Sequence, residues 1–358
     1  MQPTATDGRL RIGVAVTGLS DEDLTFVVEA ERLGADSVWV AEAWGYDALT
    51  PLAFLAARTS RIRLATGIAQ LGARSPALLA MSAMSMQALS GGRFLLGLGT
   101  SGPQVMEGWH GVRFTSPLAM TRETIEVLRT VTSGERLVHD GRVYQLPLPD
   151  SAGRALRSMA PPTRVPVYLA ALGPKNLALT GELADGWLAN AFMPETSASF
   201  FEPLTEGAAR AGRSVDELDV VVPVGVEFTD DEAEAARRHA RGYAFTIGAM
   251  GNRSQNFYNA AFERQGYGAD VDAVQELWLA GDREGAADRV PLDLGRRTNL
   301  LGPPELVRER MGLYRAAGVG TLQAKLTGSL EERLTTLGTL LDLAAQADPV
   351  AGQRSATL

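Results

Sequence analysis

Residues 96–111 read LGLGTSGPQVMEGWHG, and the meaning of Gly97, Gly99 and Gly102 within them decides between two folds. Their spacing is G-x-G-x-x-G, directly after the apolar run RFLL (93–96), which suits the end of a β-strand. In a dinucleotide-binding turn the glycines open a helix whose N-terminus holds a pyrophosphate, and a strand ending in an acid follows about twenty residues on. Here the chain continues PQVMEGWHGVRFTSP, whose two prolines and two glycines leave no regular helix of useful length. The segment that follows is an amphipathic helix pattern, TRETIEVLRTV (121–131), not a strand. The motif also falls on the fourth strand-like run rather than the first. The glycines therefore belong to a strand end and a long loop.

Outward from that strand, apolar β-branched runs alternate with segments of helical periodicity. RIGVAV (11–16), SVWVAEA (37–43), RLATGIA (63–69), RFLLGLG (93–99), PVYLAAL (166–172), GWLANA (186–191), DVVVPVGVEF (219–228) and GTLQAKL (320–326) read as strands, each followed by a helix pattern. Ser20 is placed to cap a helix running to Gly34, Pro51 suits a first helical turn, and PALLAMSAMSMQALS (76–90) is a Met- and Leu-rich helix. Eight such units, with strands apolar on both faces, predict an α/β fold, a (β/α)8 TIM barrel. Residues 1–348 would form this single domain; a doubly wound open sheet is the alternative. Two insertions interrupt the repeat. Residues 135–162 contain LVHDGRVYQL, whose Asp-Gly predicts a hairpin, and residues 249–300 carry extra helices between the seventh and eighth strands. Residues 349–358 are expected to form a disordered tail.

The 358 residues are 45% hydrophobic and 21% charged, a globular composition long enough for a large core. A formal net charge of −8 argues against nucleic acid or an anionic membrane as partner. No apolar run approaches the roughly 18 residues of a membrane span, and the opening MQPTATDGRL lacks an apolar signal core, so a cytoplasmic protein is expected. The absence of cysteine excludes thiolate catalysis, thiolate metal sites and disulfides. Three scattered histidines, His110, His139 and His239, have no metal-ligand spacing, so no metal is expected. Only Lys175 and Lys325 among the 34 basic residues are lysines. A compact ammonium does different work from a guanidinium fork, which makes both positions worth locating.

A long glycine-punctuated loop at the C-terminal end of a barrel strand is where such enzymes place their chemistry. SGPQVMEGWHG, with RLATGIAQLGARSP, LSGGRFLLGLG, YLAALGPKN, ADGW and GNRSQNFYNAAFERQGYG, resembles the luciferase-like monooxygenase superfamily. Within it the chain is similar to the branch that uses the deazaflavin coenzyme F420, including the methylene-tetrahydromethanopterin reductases, from residue 11 to about 345. The resemblance implies a deazaflavin across the C-terminal face and two-electron hydride transfer to or from a small organic substrate with an activated C=C, C=N or C–X bond. An FMN-dependent monooxygenase and a non-catalytic flavin- or deazaflavin-binding protein are the alternatives. A homodimer is also expected.

Candidate residues follow from both readings. Ala171 and Leu172 end the fifth strand; Gly173, Pro174, Lys175 and Asn176 then open a helix, whose free amides and positive end suit an anion. On the resemblance that anion is the cofactor phosphate. Thr66, Gly67 and Ile68 end the third strand, where the superfamily has a non-prolyl cis peptide behind the flavin ring. Ser101, Gly102, Gln104 and Trp109 complete the expected cofactor contacts. Candidate proton donors are Glu107, His110 and Glu42, in that order. Trp44 is expected in the substrate pocket and Asp47 as a helix cap. The segment at residues 249–268 reads as a lid, its aromatic side packed on the barrel and Arg253 and Asn256 at the pocket mouth. The sugar-phosphate dehydrogenases of the superfamily carry a histidine where this chain has Ala43 and a glutamate where it has Ser101-Gly102-Pro103. The reductases are expected to end the first strand with a glutamate; here it reads Val16-Thr17-Gly18.

Overall fold

The computed structural model describes residues 9–250 and 256–346. The expected tail at 349–358 and residue Arg253 lie outside the described residues. Eight parallel strands close into a barrel: β1 Arg11–Val16, β2 Ser37–Val40, β3 Arg63–Thr66, β4 Phe94–Gly99, β5 Val167–Ala170, β6 Gly186–Leu188, β7 Asp219–Phe228 and β8 Thr321–Lys325. Each pairs with its neighbours in sequence, β8 with β1 (Arg11↔Thr321) and β7 with both β6 and β8, so no barrel strand is an edge. This is the TIM barrel expected from the alternation.

Local chemistry sets the helices. Ser20 and Asp23 form a capping box on Asp21–Leu33, which Gly34 ends in the left-handed conformation. Ser75 caps Pro76–Ser90 with Pro76 in the first turn. Asp47 accepts from the amides of Leu49 and Thr50, both at 2.9 Å, and starts the helix Leu49–Ala56. Outward-facing strand residues such as Ile12, Val14, Leu96 and Val222 join the core between barrel and helices. Inward-facing Trp39, Ala65, Leu95, Tyr168 and Val221 fill the barrel, Trp39 and Tyr168 meeting edge to face at 5.6 Å.

Three expectations need correcting. A helix, Pro103–Gly108, does follow the glycine motif directly, with Pro103 in its first turn, where proline's missing N–H costs nothing. It is a turn and a half long and stands on β4 of a closed barrel. Several strands also stop short of their apolar runs, β2 at Val40, β3 at Thr66 and β6 at Leu188, because the remaining residues turn over the barrel mouth. Two further parallel segments join the sheet: Ala69–Gln70 pairs with β4 (Ala69↔Leu98), and Leu300–Gly302 extends the upper half of β7 (Val226↔Leu300) inside the second insertion. The hairpin pairs His139–Asp140 with Gln145–Leu146, its turn held by the Glu123 carboxylate accepting from Arg142, Val143 and Tyr144.

Candidate active site

The C-terminal mouth takes its floor from the end of β3. After Thr66 the chain crosses inward through a cis peptide between Gly67 and Ile68. A Cβ on Gly97 would lie 2.0 Å from Thr66 O, and one on Gly99 3.0 Å from Ile68 Cγ1 and 3.5 Å from Ala170 Cβ. Residues two apart on a strand share a face, so Gly97 and Gly99 are the two side-chain-free positions that admit this crossing. That accounts for the glycine spacing. Thr66 itself is fully buried; its hydroxyl donates to Gly97 O at 2.7 Å and accepts from Gly97 N at 2.8 Å. Its side chain thus staples β3 to β4 instead of pointing into the mouth as expected of a cofactor contact, and Gly67 and Ile68 form the surface there.

Of the three proposed proton donors, Glu42 is fully occupied. Arg74 grips its two oxygens at 2.8 and 2.7 Å, and the amides of Gln70 and Ala48 donate to it at 3.2 Å each. Burial pushes its pKa up, but the Arg74 guanidinium and these amides outweigh burial and hold it below the ordinary carboxylate range. An ionised carboxylate with its lone pairs filled holds the loop after β2 rather than giving up a proton. Glu107 is exposed on the short helix and accepts from Phe114 N at 3.0 Å, which fixes the loop that follows.

His110 has the better position. Its Nε2 lies 2.6 Å from Gln70 Oε1. Gln70 is buried, and its amide nitrogen donates to the carbonyls of Glu42 at 3.2 Å and Ala43 at 3.1 Å. The Gln70 oxygen must therefore accept, so His110 donates from Nε2 and keeps Nδ1 to hold or release a proton. Gln70 and Arg74 were missed in the sequence; both lie in RLATGIAQLGARSP, and only the fold joins them to Glu42 and His110. Trp44 and Trp109, 55% and 64% exposed, offer aromatic surface on the same loops.

The expected anion site lies above β5. The helix Pro174–Leu183 has Gly173 as an extended N-cap with no side-chain cap, no acid in its first turn, and Lys175 exposed in that turn. Pro174 has no N–H and the amides of Asn176 and Leu177 donate to Gly173 O at 3.0 and 2.9 Å, which leaves the Lys175 amide without a partner within the helix. Asn176 Oδ1 is buried without a partner, and a Cβ on Gly173 would meet nothing within 4 Å. Arg264, from the π-helical stretch Glu263–Tyr267, reaches Leu172 O at 2.5 Å and Ala260 O at 2.9 Å. It adds a guanidinium held by carbonyls, a feature the sequence reading missed.

The second insertion departs from the expected lid. Asn256 Oδ1 accepts from Tyr258 N and Asn259 N, and its Nδ2 donates to Ile247 O at 2.8 Å. It caps the helix Phe257–Phe262 and ties it to Glu232–Ala249, so it is spent on structure instead of reaching the mouth. Phe262 packs against Tyr243 and joins Ala191 and Met193 beyond β6 in a separate apolar cluster. His239, one of the three scattered histidines, approaches the mouth: a Cβ on Gly225 of β7 would lie 2.5 Å from His239 Cε1. Among the described residues no group of three His, Asp or Glu side chains could hold a metal, and no helix is long and apolar enough to cross a membrane.

Comparison with known proteins agrees with this geometry. Residues 6–321 match the luciferase-like monooxygenase family model. A Mycobacterium tuberculosis protein provisionally named a coenzyme F420-dependent oxidoreductase is 42% identical over 86% of this chain and 90% of its own length. The 5,10-methylenetetrahydromethanopterin reductase of Archaeoglobus fulgidus is 31% identical over 82% of this chain and 86% of its own. Among solved structures, the coenzyme F420-dependent tetrahydromethanopterin reductase of Methanopyrus kandleri superposes with a TM-score of 0.75 over 93% of this chain and 97% of that one, at 23% identity, a likeness of fold. With the family's model spanning most of the barrel and the barrel itself in place, the chain belongs to the luciferase-like monooxygenase family.

Proposed function

We propose that the chain is a coenzyme F420-dependent oxidoreductase that reduces an activated C=C or C=N bond of a small organic substrate, or runs the reverse reaction. The observation that carries this reading is the arrangement over β3–β5: a floor at Gly67–Ile68 beside a helix N-terminus with no side-chain cap, no acid in its first turn and Lys175 exposed there. The floor suits a flat ring and the helix end suits a phosphate, as the Lys175 amide, the helix dipole and the lysine charge all favour an anion. The names of the Mycobacterium tuberculosis and Archaeoglobus fulgidus relatives support the same cofactor. Ala171, Leu172, Gly173, Pro174, Lys175 and Asn176 would hold the phosphate end, and Gly67, Ile68, Ser101, Gly102, Gln104 and Trp109 the ring.

When bound, the deazaflavin supplies a two-electron hydride donor or acceptor. The protein supplies position, exclusion of water and the proton. His110, fixed through Nε2 by Gln70, holds or moves the proton at Nδ1, and this replaces the order Glu107, His110, Glu42 with His110 first. Trp44 and Trp109 flank the substrate. Helices Leu49–Ala56 and Pro76–Ser90 expose Phe54, Leu78, Met81 and Leu89, and this apolar surface supports a homodimer, which sedimentation velocity would test.

Equilibrium titration by fluorescence quenching tests the cofactor: micromolar deazaflavin binding is expected, with FMN weaker. Micromolar FMN binding without measurable deazaflavin binding would overturn the reading. Reoxidation of the reduced cofactor across a panel of enones and imines then separates an enzyme from a binding protein.

A further inference from the structure

Lys325 ends β8 inside the barrel mouth. Thr321, four residues earlier, hydrogen-bonds inside the barrel to Arg11 Nε at 3.2 Å and Asp219 at 3.3 Å. Gln323 Nε2 lies 3.7 Å from where a Gly67 Cβ would stand. Side chains two apart share a face of a strand, so Lys325 continues this inward row one layer higher. Its register partner on β7 is Gly225, the glycine over which the His239 ring sits. Walls of the barrel crowd the ammonium and burial lowers its pKa, while the opening above leaves the side chain reachable by solvent.

Among the described residues Lys325 makes no hydrogen bond and no ion pair. Glu227, two residues beyond Gly225 on the same face of β7, is already engaged by Arg238 and by His239 Nε2 at 3.4 Å. Arg238 is itself shared between Glu227 and Glu234, the latter at 3.4 Å, and burial holds His239 below its ordinary pKa and toward its neutral form, so Lys325 is the cation left without a partner. The side chain is exposed at the mouth and free to meet an incoming anion, and the chain elsewhere uses arginine almost throughout. The anion site over β5, assigned above to the cofactor phosphate, stands three strands away around the ring.

We propose that Lys325 is a substrate-binding residue that receives an anionic group, a carboxylate or phosphate, on the substrate, and so turns the reducible bond toward the barrel centre. This rests on the cofactor reading above for the claim that the anion is the substrate's. A lysine suits either anion, because it acts as a point charge rather than a bidentate fork.

The test uses deazaflavin-loaded protein at low salt, with benzoate, phenyl phosphate and benzamide as probes in titration calorimetry. Wild type is expected to bind one or both anions about tenfold more tightly than benzamide, the scale of one charge-assisted hydrogen bond. The better anion identifies the group. In Lys325→Met the preference should fall to within about twofold, with deazaflavin affinity and melting temperature unchanged, since the side chain is exposed and makes no ion pair within the fold. Lys325→Gln serves as a second variant should the first aggregate. An undiminished preference in both variants, or no preference in wild type, overturns the proposal. Failure of wild type to bind the deazaflavin is read in its own titration and overturns the cofactor reading instead.

Discussion

The two ends of the barrel treat charge in opposite ways. At the N-terminal floor, Asp219 accepts from Arg11 at 2.6 Å and from Tyr168 Oη at 2.9 Å, with Arg63 at 3.7 Å; Arg63 also bonds Asp36. Burial would lower the Arg63 pKa, but Asp36, Tyr168 and Asp219 raise it further than burial lowers it, and burial beside Asp219 pushes the Tyr168 hydroxyl well up. Each charge there has a partner inside the protein. At the C-terminal mouth Lys325 has none, the helix at Pro174 is uncapped, Asn176 keeps a buried oxygen unpaired, and Trp44 and Trp109 lie open. A charge completed by the fold is spent on the fold; a charge left open at the mouth is free to meet a ligand. One closed sheet thus separates a structural end from a binding end.

The largest expected effect is at the floor. Asp219→Asn leaves Arg11 and Arg63 facing each other over a neutral amide and should cost about 3–5 kcal/mol of unfolding free energy. Urea denaturation measures it. Deazaflavin affinity should stay within about twofold if the floor and mouth are independent; a parallel loss would break the comparison.

Arg74→Met sharpens the comparison, because Glu42 is a mouth carboxylate completed by the fold. Removing its bidentate partner should cost about 2–3 kcal/mol at neutral pH. The sign with pH follows from the lowered pKa of Glu42. In wild type its contribution is full above the unfolded carboxylate value of about 4.3 and fades as pH falls through the lower folded value. Without Arg74, burial dominates and the pKa rises, so ionised Glu42 destabilises the fold. The gap between variant and wild type should therefore be widest at neutral pH and close toward pH 3. A gap that is constant with pH would mean that Arg74 acts through packing alone.

Lys175→Ala should weaken deazaflavin binding by roughly 1–3 kcal/mol and leave the apo melting temperature unchanged, since the side chain is exposed. An unchanged dissociation constant would make Lys175 a solvated lysine beside a helix. Glu107→Gln should have the smallest effect, below about 0.5 kcal/mol in stability, because glutamine can still accept from Phe114 N. A large loss of turnover there, with stability intact, would return Glu107 to first place as proton donor.

The architecture was legible because its signals are local. Strand runs, Ser20 and Ser75 as caps, Pro76 in a first turn and the hairpin at 139–146 all depend on residues within a few positions of one another. Pro103 shows how local rules can mislead: proline forbids a helix interior but favours its first turn, and only the position of the helix start decides which applies. The site was less legible, since its members meet across the barrel. Glu42 and Arg74 are 32 residues apart, and His110 and Gln70 are 40 apart. A glutamate in a loop reads equally as a base or as half of an ion pair until its partner is seen.

By itself the sequence determined the eight strand–helix units, because periodicity and capping are written within each unit, and by excluding cysteine it narrowed the chemistry. The tertiary structure alone decided which polar groups are spent and which are left open. Closing the sheet carries Thr66 and the Gly67–Ile68 crossing over Gly97 and Gly99, takes Glu42 and Asn256 into structural bonds, and turns Lys325 inward without a carboxylate to meet it. The physical reason is that hydrogen-bond and ion-pair satisfaction depends on distances through space, and these exist only after strands far apart in the chain have paired.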